Sequence, residues 1–158
     1  VKNKSNRGRT KKVRIEIPQG QLMSLSSCEA VEFLSTLARY NIESLSPALS
    51  TRFVRITIVN PDLTERITID LGLEYSDLRS GRSATTGEMS IVEIKQDGNT
   101  TSVAKEILRE LRVKPLKISK YCLGTALTVE GIKRNRMIEK IRRIEKRIGY
   151  NNIIVSNI

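Results

Sequence analysis

Short runs in which a polar residue alternates with a β-branched apolar one recur along the chain. Lys12-Val13-Arg14-Ile15-Glu16-Ile17 is the first; Arg55-Ile56-Thr57-Ile58, Arg66-Ile67-Thr68-Ile69-Asp70-Leu71, Val92-Glu93-Ile94-Lys95 and Ile118-Ser119-Lys120-Tyr121 follow. Successive side chains of a strand point to opposite faces. Each run therefore predicts a strand with one apolar and one charged face. The expected strands cover 11–17, 51–59, 64–75, 89–96 and 116–122. Asn60-Pro61-Asp62 predicts a turn that folds the second and third into an antiparallel hairpin, and Asp97-Gly98-Asn99 marks another turn. Residues 1–10 read as a basic loop or hairpin tip, and 76–88, rich in Ser, Gly and Thr, as a loop.

Between the strands the spacing turns helical. Ala30, Val31, Phe33, Leu34, Leu37 and Ala38 recur near the helical period, and Asn41 and Ser46-Pro47 end that region. Thr101 or Ser102 caps a predicted helix whose inner side carries Val103, Ala104, Ile107, Leu108 and Leu111. A last helix over 131–148 puts Met137, Ile138, Ile141, Ile144 and Ile148 on one face and a run of Lys and Arg on the rest. Strands joined by hairpins and bracketed by helices predict an α+β domain with a mostly antiparallel sheet.

Composition narrows the chemistry. The chain has 158 residues, suited to a single domain with a real core, and a net charge of +11. Such an excess predicts phosphate-rich partners. Aromatic residues are scarce; Tyr75 and Tyr121, beside basic strands, make only a thin platform for stacking bases. There is no histidine, so a Ser-His or Cys-His nucleophile pair is excluded within the chain, and with two cysteines a zinc site is disfavoured. Cys28, in a predicted helix, and Cys122, in a predicted strand, are expected to be reduced, buried thiols in a cytoplasmic protein. Carboxylates remain as ligands for Mg²⁺ or Mn²⁺. No apolar run is long enough to span a bilayer and no secretory signal is visible. The start at Val1, inside a basic polar stretch, predicts a preceding segment in a longer parent protein.

Taken singly, each charged strand reads as the solvated face of an ordinary antiparallel sheet. Glu93 and Lys95, two apart on one face, read equally as an ion pair or as a metal ligand beside a phosphate-binding lysine, and Lys120 reads as an edge-strand lysine that discourages aggregation. Taken together, the strands bring their cations to one surface. Closing such a sheet into a barrel would turn that surface inward. An enclosed basic lumen then requires an anion, because buried unpaired cations are costly.

Thr51-Arg52-Phe53-Val54-Arg55 after Ser46-Pro47, then Leu63-Thr64-Glu65-Arg66-Ile67-Thr68-Ile69-Asp70, Val92-Glu93-Ile94-Lys95 and Ile118-Ser119-Lys120-Tyr121 resemble the VTC domain in order and spacing, from about residue 10 to 148. This is the polyphosphate polymerase domain of the vacuolar transporter chaperone family. The resemblance implies a triphosphate-tunnel fold, an antiparallel β-barrel lined by Lys and Arg. It implies one domain over 1–158, lacking the family's N-terminal strands and their lumen cations. It implies transfer of the γ-phosphoryl group of ATP onto a polyphosphate chain, with Mn²⁺ or Mg²⁺ as cofactor. Arg55, Arg66 and Lys120 are then the expected catalytic residues. They bind phosphate together with Lys12, Arg14 and Lys95, and Glu93 is the expected metal ligand. ATP and inorganic polyphosphate are the expected partners. No specific nucleic acid is expected, and membrane contact only through other parts of the parent. A tunnel-fold triphosphatase, or a non-catalytic basic module for polyphosphate, RNA or an anionic membrane, are the alternatives; the signature Glu-x-Glu-x-Lys strand of other tunnel enzymes is not present.

Overall fold

A computed structural model describes residues 1–4, 10–16, 28–37, 44–98, 101–149 and 153–156. The chain divides into two units, Val1–Pro47 and Ala48–Ile158.

In the first unit, β1 (Lys2–Lys4) and β2 (Thr10–Lys12) form an antiparallel ribbon with Lys2 opposite Lys12. The Val1 ammonium donates to the Val13 carbonyl and the Val13 N–H donates to the Val1 carbonyl, both at 3.0 Å. The strand expected over 11–17 is thus much shorter: pairing ends at Lys12, residues 13–16 are irregular, and Ile17 lies outside the described residues. The expected first helix is α1, Cys28–Leu37, with Ala30 buried; Ala38 and Asn41 lie outside the described residues.

The second unit is built on the predicted hairpin. β3 (Leu49–Val59) pairs antiparallel with β4 (Glu65–Asp77). Asn60 holds the turn: its side-chain carbonyl accepts the Glu65 N–H at 2.8 Å and its amide donates to Thr64 Oγ1 at 2.9 Å. Leu63, at φ 57°, completes it. The far side of β4 pairs with β6 (Ile91–Gln96) along its first half and with β5 (Ser83–Thr85) along its second. β5 lies within the stretch expected to be loop. β7 (Ile154–Ser156) adds to β5. The result is an α+β unit with an open five-stranded antiparallel sheet; the expected barrel closure is not seen among the described residues.

A β-bulge sets which side of this sheet is inside. The register slips between Arg52 and Val54, so that Gly72 and Leu73 together face Phe53. Gly72 sits at φ 59°, a conformation glycine reaches without the penalty of a Cβ. The extra residue shifts the alternation by one. Thr68 and Asp70 therefore share a face with Leu73, Tyr75 and Asp77, and all five are buried. The other face carries Val54, Ile56, Ile58, Leu71 and Val92, all exposed, Val54 at 67 %. The ordinary expectation of apolar residues inside and charges outside is thus inverted in this part of the sheet.

The strand expected over 116–122 does not form: residues 116–119 are irregular and a helix begins at Lys120. Ser119 is the N-cap of α3 (Lys120–Thr128), its hydroxyl accepting the Cys122 N–H at 3.4 Å. From there Leu123, Ala126 and Leu127 are buried, and Leu123 and Leu127 join Leu73, Tyr75 and Ala84 in the core. The helical spacing of these apolar residues overrides the local alternation of 118–121. Gly124 lets the helix touch the sheet: a Cβ there would sit 2.8 Å from a Leu49 methyl and 2.9 Å from Tyr75 Cγ. Tyr75 is consequently core, with a fully buried ring, and not a stacking platform. Tyr121 and Cys122 are exposed on α3, so the expectation of a buried Cys122 thiol also fails.

Ser102 caps α2 (Val103–Glu110) as expected, accepting the Lys105 N–H at 3.1 Å. Its expected inner side is not packed: Val103, Ile107 and Leu111 are exposed. The basic helix α4 (Asn135–Ile148) buries Ile144, and Met137, Ile141 and Ile148 pack against the core. Its cations are largely solvated. No helix among the described residues is long and apolar enough to cross a membrane.

Candidate functional site

Cross-strand partners in a sheet lie on the same face. Arg55 on β3 is opposite Asp70 on β4; on the other side of β4, Arg66 is opposite Lys95 and Thr68 opposite Glu93 on β6. Arg55, Arg66, Glu93 and Lys95 thereby share the face that also holds the buried Thr68 and Asp70. Lys120 reaches this face from the first turn of α3.

Asp70 organises one end of the site. Its side chain has 0 % exposure. Arg55 grips it with two parallel hydrogen bonds, Nε to Oδ1 at 2.6 Å and Nη2 to Oδ2 at 2.9 Å, the bidentate geometry a guanidinium favours. The Lys120 ammonium forms an ion pair with Oδ2. The Arg55 hydrogen bonds, with help from Lys120, outweigh burial and hold the Asp70 carboxyl at about 2. Arg55 is in turn pushed above its already high value, first by the Asp70 hydrogen bond. Phe53, at the bulge, lies under both cations, with the Arg55 guanidinium 5.1 Å and the Lys120 ammonium 5.0 Å from its ring centroid.

The other end is more open. Arg66 and Lys95 stand directly opposite each other on adjacent strands, an arrangement of like charges that costs stability without an intervening anion. Glu93 contacts Lys95 at 3.1 Å, and both are about half exposed, so the pair itself contributes little. Thr68, between the two ends, has a buried hydroxyl with no hydrogen-bond partner among the described residues. The two ends together bring four cations, Arg55, Arg66, Lys95 and Lys120, against two carboxylates, Asp70 and Glu93. From Arg66 to Asp70 along β4 the distance is about 13 Å at the usual rise per residue.

Five of the expected site residues thus come together: Arg55, Arg66, Glu93, Lys95 and Lys120. Lys12 and Arg14 belong to the first unit and are exposed there. Three residues of the site were not singled out from the sequence: Asp70, Thr68 and Phe53. Asp70 was legible in part, because Arg66-Ile67-Thr68-Ile69-Asp70 puts it on the arginine's side of the strand. Its role as anchor for Lys120 was hidden by reading 116–122 as a strand.

No group of three His, Cys, Asp or Glu side chains that could hold a metal occurs among the described residues. Asp70 is already committed to two cations. Glu93 is left as a single carboxylate, and a hard cation held there would complete its shell with phosphate oxygens and water. That donor set fits Mg²⁺ or Mn²⁺ brought with a phosphate, and does not form a protein cage.

The antiparallel hairpin, the cations gathered on one of its faces and the capped helix that delivers Lys120 define an α+β unit with a basic face. The family model described as VTC domain matches residues 1–129, and the chain belongs to that family. The matched span covers every residue of the cationic face and stops short of α4, which the sequence resemblance takes in as far as about residue 148, and of β7. No curated protein and no solved structure matches the chain.

Proposed function

We propose that this chain is a polyphosphate polymerase domain that moves the γ-phosphoryl group of ATP onto the end of a polyphosphate chain. The observation that carries the reading is the pairing of Arg66 with Lys95, followed on the same face by Arg55 and Lys120. A row of cations about 13 Å long fits a chain of phosphates better than a single one. Membership of the VTC family supports the same reading.

Phosphoryl transfer depends on positioning and charge neutralisation more than on covalent chemistry by the protein. A terminal oxygen of the acceptor chain forms a bond to the γ-phosphorus while the bridging β–γ bond breaks, and ADP carries away the electron pair. Arg66 and Lys95 bind non-bridging oxygens of the acceptor or the transferred group. Arg55 and Lys120, oriented by Asp70, present their remaining N–H groups to the next phosphates. The hydroxyl of Thr68 is placed to donate to an oxygen between them. Glu93 would hold a divalent cation, which supplies charge neutralisation on the phosphate oxygens. Lys12 and Arg14 are further phosphate-binding candidates from the first unit. The reading expects a cytoplasmic source of ATP.

Incubation with ATP and Mn²⁺, followed by separation of products, tests the reaction class. Long polyphosphate and ADP are expected, and Glu93→Gln should abolish both. Free phosphate alone would identify a triphosphatase, and unchanged turnover in Glu93→Gln would remove Glu93 from the mechanism.

A second reading, binding of polyphosphate without turnover, is favoured by one observation. Asp70 already offsets half of the charge of Arg55 and Lys120, and Glu93 is a lone carboxylate. Tight polyphosphate binding with no consumption of ATP would select it.

A further inference from the structure

A cavity of about 370 Å³ opens between α3, α4 and the β5–β7 end of the sheet. It shares no lining residue with the cationic face. Its apolar wall comes from Ile138, Ile141 and Ile153, and three arginines, Arg82, Arg134 and Arg142, converge on it against a single lining carboxylate, Glu145. Most of this lining lies beyond the span matched to the VTC family.

The arginines are only partly used. Arg82 gives one terminal nitrogen to Glu130, but its Nε is buried without an acceptor among the described residues. A buried guanidinium N–H left unpaired is costly, and such a group calls for a partner. Arg134 donates to the Ala126 carbonyl at 3.3 Å through one nitrogen, leaving the rest of its fork. Arg142 makes no ion pair among the described residues. Planar guanidinium groups recognise oxyanions with paired N–H donors, while the isoleucine wall excludes a ligand that is polar throughout. The volume falls in the range of small-ligand sites, about 300–1,000 Å³.

We infer that this cavity binds a phosphate monoester carrying a small apolar group, with the phosphate on Arg82, Arg134 and Arg142 and the organic part against Ile138 and Ile141. The inference is independent of the polymerase reading, since no residue is shared. A soluble ester and a lipid headgroup offer the same chemistry.

The test is calorimetric titration of the chain with hexyl phosphate and with inorganic phosphate, and co-sedimentation with vesicles containing phosphatidic acid. Hexyl phosphate should bind at least tenfold more tightly than inorganic phosphate. Arg142→Gln and Ile138→Asp, both at exposed positions, should each weaken it about tenfold, while Lys117→Gln, exposed and outside both sites, leaves it unchanged. Vesicle binding lost in the same two variants assigns the lipid source; hexyl phosphate binding without vesicle binding assigns the soluble one. Equal affinity for hexyl and inorganic phosphate, or unaltered binding in Arg142→Gln and Ile138→Asp, overturns the inference. Circular dichroism of each variant separates lost binding from lost folding.

Discussion

Asp70 ties the stability of the fold to the charge state of its cationic face. Its carboxyl titrates near 3.8 when free and at about 2 in the folded chain. A group whose folded value is depressed contributes stability at all pH above its unfolded value and loses that contribution as pH falls through the folded one. The window here runs from about pH 4 down to about pH 2. The gap corresponds to about 2 kcal/mol, at 1.36 kcal/mol per unit. In urea that is a midpoint change of about 1 M. Asp77 is also depressed, mainly by the Ser80 hydroxyl and the Arg79 N–H, so acid sensitivity of the wild-type chain alone would not identify Asp70. Asp70→Asn does. At neutral pH it should cost about 3 kcal/mol, the low end for removing one member of a buried pair, because Arg55 is 42 % exposed and can turn to water. As pH falls through 2 the two proteins should converge, since the wild-type carboxyl then becomes neutral as well. Urea unfolding followed by circular dichroism, repeated across this window, reads both effects. Parallel pH profiles for wild type and Asp70→Asn would refute the assignment of Asp70 as the buried anchor of Arg55 and Lys120.

Other outcomes follow from the same geometry. Arg66→Gln should weaken polyphosphate binding and make its dependence on log salt shallower by about one unit, one counterion per phosphate contact; an unchanged slope would remove Arg66 from the site. Gly72→Ala should cost about 1 kcal/mol from the left-handed backbone alone, read as a lower urea midpoint. Gly124→Ala should cost about 1–3 kcal/mol by overpacking, because its methyl would meet the buried Tyr75 ring and Leu49; an unaffected midpoint would mean α3 does not lie on the sheet as described.

The alternating runs of β3, β4 and β6 announced themselves because their period is local, and the Asn60-Pro61-Asp62 turn left only one pairing open. Which face would be inside was not legible. That depends on one extra residue at Gly72, and a bulge leaves no mark in a period-two pattern beyond an isolated glycine. The same limit explains Lys120. Four residues, Ile118 to Tyr121, alternate as a strand would, whereas the signals for a helix, a capping Ser119 and apolar Leu123, Ala126 and Leu127, lie mostly downstream. The site residues on strands were found because strand periodicity names a face. Asp70 and Phe53 were missed because their roles depend on a helix crossing the sheet.

The bulge and the helix cap together explain how ionic groups and core come to share one face. Past Gly72, β4 presents Leu73 and Tyr75 to α3; before it, the same face presents Asp70 to the first residue of that helix. Lys120 cannot reach Asp70 unless Leu123 and Leu127 are seated on Leu73 and Tyr75, and a loosened core would release the lysine with them. Asp70 in turn keeps Arg55 and Lys120 from repelling each other while no phosphate is present. On the proposed reading, an anion arriving on this face meets cations that are already oriented, and little is lost of the ordering entropy that free Lys and Arg side chains would cost. The opposed Arg66 and Lys95 have no comparable anchor between them, so the incoming charge should relieve most strain at that end. Phosphate affinity is accordingly expected to be concentrated at Arg66 and Lys95, with Arg55 and Lys120 fixing direction along the strand.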